Sequence, residues 1–291
     1  MESNQESVPI KTKSASLNSL PLQDSEQFRP PFEVDAQWHC TKTKAPEWVI
    51  GSGANDASWR NHRKVSMDPA ERSVADNYRL LVSAIIPRPV GLVSTISRSG
   101  VLNLSPFSYL TIVNTDPAIF CIGFSLGRTS ITDSLNNVLE TGELALSMTS
   151  EWFVEAANLT STNAPSEISE WDLSGLTASA SEKIKPPHVA ESAFSVECIL
   201  MKHHHFRSAV TGQITGVLCI VEGVHFHIRE DAFDEAKGVV DPSVLRPIAR
   251  LGGWTYSRTT TGFEVAWPEW SQIKVAQEVQ DLLGRQHPHH L

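Results

Sequence analysis

Cysteine is scarce in this chain. Its four residues, Cys40, Cys121, Cys198 and Cys219, are too few and too scattered for a disulfide framework or a CxxC metal pair. Cys121 and Cys219 lie inside apolar runs, where a free thiol behaves as a small hydrophobe. A reducing compartment is the expectation. Basic residues are also short: 24 Lys plus Arg stand against 33 acidic residues, a net charge of -9, which excludes a general nucleic-acid surface. No apolar run approaches the roughly 18 residues of a membrane span, and MESNQESVPIKTKSAS lacks the apolar core of a signal peptide. The expected location is therefore the cytoplasm, away from membranes. No GxGxxG follows a strand and no regular βαβ alternation is visible, so a Rossmann fold is set aside.

The chain does carry the means for a folded core, with 41% hydrophobic residues, 8 Trp and 11 Phe. Residues 1–35, rich in Ser, Gln, Pro and charge, read as a disordered tail. Residues 36–75 read as an extended arm, with Trp38, Trp48 and Trp59 as aromatic anchors. A packed domain is expected over 76–270, and a polar tail over 271–291.

Runs of β-branched and apolar residues at 90–97, 119–124, 143–148, 193–201 and 210–228 predict a mainly β core with a few helices, a closed or split barrel. Arg98-Ser99-Gly100 reads as a hairpin turn with Gly at the positive φ. A helix is predicted from Ser130, with Ile131, Leu135, Val138 and Leu139 on one face, Asp133 as capping-box partner and Gly142 as stop. A second should span 152–159. A third should start at Asp241-Pro242 and end early at Pro247.

The stretch from Pro87 to Asn137 holds the most chemistry. Hydroxyls at Ser94, Thr95 and Ser97 sit on a strand, and Asn103-Leu-Ser-Pro-Phe-Ser108 mixes small donors with an apolar ring. Pro106 interrupts a regular ladder. Gly127-Arg128-Thr129-Ser130, before a helix, offers hydroxyls and a guanidinium to a phosphate. A flat phosphorylated ligand fits these residues, and so do an ordinary turn and an ordinary helix cap.

Among the histidines, His203-His204-His205 alternate faces on a strand and cannot all meet one ion. His225 and His227 share a face, but no third ligand is evident beyond Glu222. No metal is expected.

Ordered motifs then narrow the field. NLSPFSYL at 103–110, DSLNN at 133–137, ETGE at 140–143, EAANLTS at 155–161, SEWDLSGLT at 169–177, PPHVAES at 186–192 and ARLGG at 249–253 resemble the flavin reductase-like, FMN-binding split-barrel family. The resemblance covers roughly residues 75–270, and the arm with Trp48 and 51–56 is similar to that of longer, fungal-type members. It implies an antiparallel six-stranded split β-barrel, usually a homodimer, with FMN near the subunit interface. By position, Ser94 and Thr95 would lie beside the flavin and its ribityl chain, with Asn103 in the same cluster. Ser105, Pro106, Phe107 and Ser108 would line the isoalloxazine.

Thr132, Asp133 and Ser134 stand where the family commonly has Lys-Asp-Thr at the phosphate, so a point charge is lost there and Arg128 is the nearby cation that could replace it. Asn158 would face the same region. Arg250, Gly252, Gly253 and Tyr256 would form a substrate-side wall. The implied activity is NAD(P)H-dependent flavin reduction, supplying a partner oxygenase with reduced FMN or using it directly. No catalytic acid or nucleophile is assigned, because stacked rings exchange hydride by orientation. A flavin-binding electron carrier or sensor, or a self-contained FMN-dependent oxygenase acting on a small organic substrate, is the alternative.

Overall fold

The computed structural model describes residues 26, 29–32, 37–126, 132–165 and 167–284. The described residues from 37 to 284 form one compact unit, built around one large antiparallel sheet. Its elements, in chain order, are α1 (Val74–Ala84), β1 (Arg88–Pro89), β2 (Gly91–Ile96), β3 (Leu102–Phe107), β4 (Leu110–Thr115), β5 (Ala118–Ser125) and α2 (Asp133–Thr141). There follow β6 (Glu143–Met148), α3 (Val154–Leu159), α4 (Glu170–Ser174), β7 (His188–Val189), β8 (Phe194–Arg207) and β9 (Ile214–Ile228). The chain continues through α5 (Pro242–Leu245), β10 (Ile248–Gly252), β11 (Thr255–Arg258) and α6 (Gln277–Gly284).

The main sheet has seven strands in the order β3-β2-β6-β8-β9-β5-β4, not the expected six. Strands β3 and β4 are consecutive in the chain yet occupy opposite edges. A flat seven-stranded sheet would hold those edges about 29 Å apart. Only Ser108 and Tyr109 connect them, and three Cα steps span at most ~11 Å. The sheet therefore rolls on itself. No ladder joins β3 to β4 among the described residues, so the barrel stays split along that seam.

Alternation along β2 and β3 sorts their side chains into two layers. Val93 joins Leu110, Ile122, Phe124, Leu144, Leu146, Val196, Val217 and Val221 in the main core, closed by Leu135 and Val138 of α2. Leu92 and Leu104 face the other way, onto Phe153, Ala157 and Trp171 of the α3–α4 layer. Cys198 and Cys219 belong to the main core. Burial pushes both thiols up, Cys219 to about 12, so they stay protonated and inert.

Most predicted turns and stops are where local chemistry puts them. Gly100 takes φ +89 in the β2–β3 turn and Gly142 ends α2 at φ +76. Asp241 caps α5 by accepting the Ser243 N–H at 2.7 Å, and α5 stops at Arg246, one residue before Pro247. Three expectations need correction. The cap of α2 is Thr132, whose hydroxyl accepts the Leu135 N–H at 3.4 Å, so the helix starts later than Ser130; Ser130 and Ile131 lie outside the described residues. In the arm, Trp38 packs on Gly262 beside a short parallel pairing of His39–Thr41 with Thr261–Phe263, whereas Trp48 and Trp59 are exposed, Trp48 donating its indole N–H to the Gly53 carbonyl within the arm at 2.7 Å. The expected polar tail contains α6, which buries Val279.

A three-stranded sheet, β11-β10-β1, lies beside the main one. Gly252 ends β10 at φ +102, and a Cβ there would stand 3.0 Å from the Val82 carbonyl oxygen of α1. Both the dihedral and the approach need glycine. Gly252→Ala should lower unfolding stability by about 1–3 kcal/mol, read as a lower midpoint in chemical denaturation followed by far-UV circular dichroism.

Candidate active site

Helix α2 is fixed on the barrel by buried polar pairs. Asn103 Nδ2 donates to Ser134 Oγ at 2.8 Å, and Asn137 Nδ2 donates to Thr95 Oγ1 at 3.1 Å. All four residues are buried. Three of the predicted cofactor residues, Thr95, Asn103 and Ser134, thus orient the helix start with those atoms. Asp133 is exposed at the first turn. Arg128 lies outside the described residues.

Ser94 and Thr95 do not share a face. Strand alternation turns Ser94 toward the α3–α4 layer, where its Oγ is buried with no partner among the described residues. The predicted ring-lining run splits the same way. Phe107 turns to the core, its ring 4.7 Å from that of Phe124, and half-buried Ser105 pairs across from Val93. Pro106 and Ser108 alternate to the other face of β3. The ladder continues through Pro106 because β3 is an edge strand, where a missing N–H is tolerated.

A second group forms around Arg88, a buried residue that the sequence reading did not single out. Its Nε donates to Ser108 Oγ at 3.4 Å, while Nη1 donates to the carbonyls of Val82 at 2.6 Å and Ile85 at 2.5 Å, closing the end of α1. Arg88 pairs across β1–β10 with Arg250. The Arg250 guanidinium lies 4.3 Å from the Tyr256 ring centroid and donates to the Gly253 carbonyl, and Tyr256 donates its hydroxyl proton to Asn158 Oδ1 at 3.0 Å. Ser108, Asn158, Arg250, Gly253 and Tyr256, predicted from separate motifs, therefore belong to one wall. Arg250 Nη1 is buried there without a hydrogen-bond partner among the described residues, and such a donor is costly to leave unpaired.

The buried side chain of Glu151, in the 3-10 turn just before α3, pairs with Arg246 and with Arg258 Nε at 2.8 Å, tying that turn to β11. Burial raises the Tyr109 phenol at the seam, only partly offset by Arg88. Burial likewise raises the Glu170 carboxyl, although Leu104 N–H donates to it at 3.3 Å. A cleft of about 410 Å³ opens elsewhere, between Ser97, Arg98, Glu140, Glu143 and Lys185 at the far end of α2.

Residues 83–247 match the family model described as flavin reductase like domain. The chain belongs to this flavin reductase-like family. It is 33% identical to nitrilotriacetate monooxygenase component B from Bacillus cereus, with a TM-score of 0.67 over 70% of this chain and 100% of that one. The 2-nitrobenzoate 2-nitroreductase of Pseudomonas fluorescens is 25% identical, with a TM-score of 0.62 over 70% of this chain and 96% of that one. A split-barrel-domain protein of Shewanella frigidimarina, 22% identical with a TM-score of 0.58 over 69% of this chain and 94% of that one, shares the fold. Flavin binding and oxidoreductase chemistry come with the family.

The polar pairs under α2 give this flavin reductase-like chain a measurable dependence. Asn137→Ala strands the Thr95 hydroxyl in the core, so it should cost about 1–3 kcal/mol. The measurement is a denaturant midpoint, with Asn136→Ala, an exposed neighbour on the same helix, expected to stay within ~1 kcal/mol.

Proposed function

We propose that this protein binds FMN and catalyses its reduction by NADH or NADPH, delivering reduced flavin to a partner oxygenase. The observation that carries this reading is the wall of Ser108, Asn158, Arg250 and Tyr256, with a guanidinium N–H on Arg250 that meets no acceptor among the described residues. A flavin fits the donor set. Its ring edge offers carbonyl oxygens to Arg250, and the start of α2 with Thr132, Asp133 and Ser134 offers backbone N–H groups to a phosphate. When bound, the flavin supplies a hydride-accepting ring. The chain's own task is to orient it: Asn158 holds Tyr256 in place, and Tyr256 supports the Arg250 guanidinium over its face.

Thr132 weakens the phosphate end, since a hydroxyl gives roughly half the energy of a charge-assisted contact, and Asp133 places a negative charge beside it. Arg128 is the proposed compensating cation. A reductase component that exchanges its flavin tolerates such a weak hold. The kinship with a monooxygenase component of 33% identity supports this use. The 25% identical nitroreductase supports a second reading, in which flavin stays bound and a small organic substrate is reduced directly.

A homodimer is part of the proposal. Tyr109, Ile112 and Val113 on and beside edge strand β4 are exposed apolar residues, directly after the Ser105–Ser108 run, and a bare apolar edge calls for a cover. Light scattering should give twice the mass of one chain, and Ile112→Asp with Val113→Asp should halve it; a monomeric parent would sink the dimer.

Difference spectra with FMN, FAD and riboflavin test the cofactor. FMN should bind tightest, and Arg250→Ala should weaken it ten-fold or more, about 1.5–3 kcal/mol for a charged hydrogen bond. NAD(P)H oxidation that needs added free FMN identifies the reductase component. Oxidation by tightly bound flavin with a nitroaromatic acceptor supports the second reading, and a chain that binds no flavin overturns both.

A further inference from the structure

Strands β8 and β9 bring a second set of reactive side chains together. Their antiparallel register pairs Glu197 with His225 and Ser195 with His227. Glu197, His225 and His227 consequently share one face, while the intervening Val196 and Cys198 lie in the main core. One ligand atom from each of the three lies within 4.8 Å of the others. The third partner of the two histidines comes not from β9 itself but from β8, through the cross-strand register.

We propose that Glu197, His225 and His227 bind a divalent transition-metal ion of the zinc type, with one position left to water. Two imidazoles and one carboxylate form a borderline N/O donor set that favours Zn²⁺ over Mg²⁺ or Ca²⁺. The nearest cysteine in the chain, Cys198, is turned into the core and adds no thiolate.

The carboxylate is prepared for this. Glu197 is fully buried, and accepts backbone N–H groups from Glu182 at 2.7 Å, Lys183 at 2.6 Å and Ile184 at 3.1 Å. These fix its orientation as outer-shell bonds do for metal ligands. Among the described residues its one side-chain partner is His227 Nε2, 2.6 Å from Oε1, and a buried carboxylate needs a cationic partner.

Metal binding replaces the proton between Oε1 and Nε2, which leaves to solvent. The gap opens to about 3.4 Å, the separation of two ligands around tetrahedral Zn²⁺ with bonds near 2.1 Å. The three backbone contacts remain. His227 has room to move, because its side chain is 22% exposed, and that open side is where the water position falls. His188 stacks on His227, with centroids 3.9 Å apart and planes 16° from parallel. Parallel rings aim their in-plane lone pairs alongside one another, so His188 supports the ligand ring and is not counted as a ligand.

The test uses the full chain, stripped with EDTA and titrated with ZnCl₂ by calorimetry, and with CoCl₂ by visible absorption. The expected result is one Zn²⁺ per chain, with the intense d–d bands of four-coordinate Co²⁺. His225→Ala and His227→Ala should each weaken Zn²⁺ at least ten-fold. A triple alanine variant at His203, His204 and His205, exposed residues of the same hairpin, should leave it unchanged. If His227→Ala fails to fold, judged by circular dichroism, His225→Ala alone decides. Absence of stoichiometric binding overturns the site. So does binding that survives His225→Ala, or that follows the 203–205 histidines.

Discussion

The two-residue link between β3 and β4 is the constraint on which the rest of this structure depends. It joins the outer edges of a seven-stranded sheet that, laid flat, would hold them about 29 Å apart. Rolling the sheet is the only solution for a link of that length. The roll encloses the main core and lets α2 close one side of it. It also places Ser108 and Tyr109 at the seam, between Arg88 on one side and an exposed apolar edge on the other.

Polar groups in the interior follow from that closure. A helix laid across β2 and β3 would bury the side chains of Thr95, Asn103, Ser134 and Asn137 at a cost, unless they satisfy one another. They do, in two cross-element hydrogen bonds. The donors that look most like ligand contacts in the sequence are therefore partly occupied in fixing α2. What remains for the proposed ligand is the start of the helix and the wall beyond the seam, where an Arg250 N–H meets no acceptor among the described residues.

Much of the fold was legible along the chain, because strands, caps and stops are local. Alternation and β-branching marked β2, β5 and β6 to within a residue or two, and Gly100, Gly142 and Asp241 marked turns, stops and caps by their own backbone chemistry. The candidate site was legible in pieces. Asn158, Arg250 and Tyr256 came only from resemblance, and their contact with one another is tertiary. Arg88 was not singled out because an arginine between two prolines gives no local sign that it will close a helix end. The helix start was placed too early, since Ser130 and Thr132 are equally good caps by composition.

The amino-acid sequence by itself determined a mainly β chain, its turns and helix ends, and its kinship with flavin reductase-like proteins, since these rest on residue type and short-range order. The tertiary structure alone decided the number of strands in the sheet, which of two adjacent hydroxyls at 94 and 95 faces α2, and which carboxylate meets His227. Each of these is a matter of register between segments far apart in the chain. A shift of one residue reverses every side chain on a strand, and no local preference carries that information.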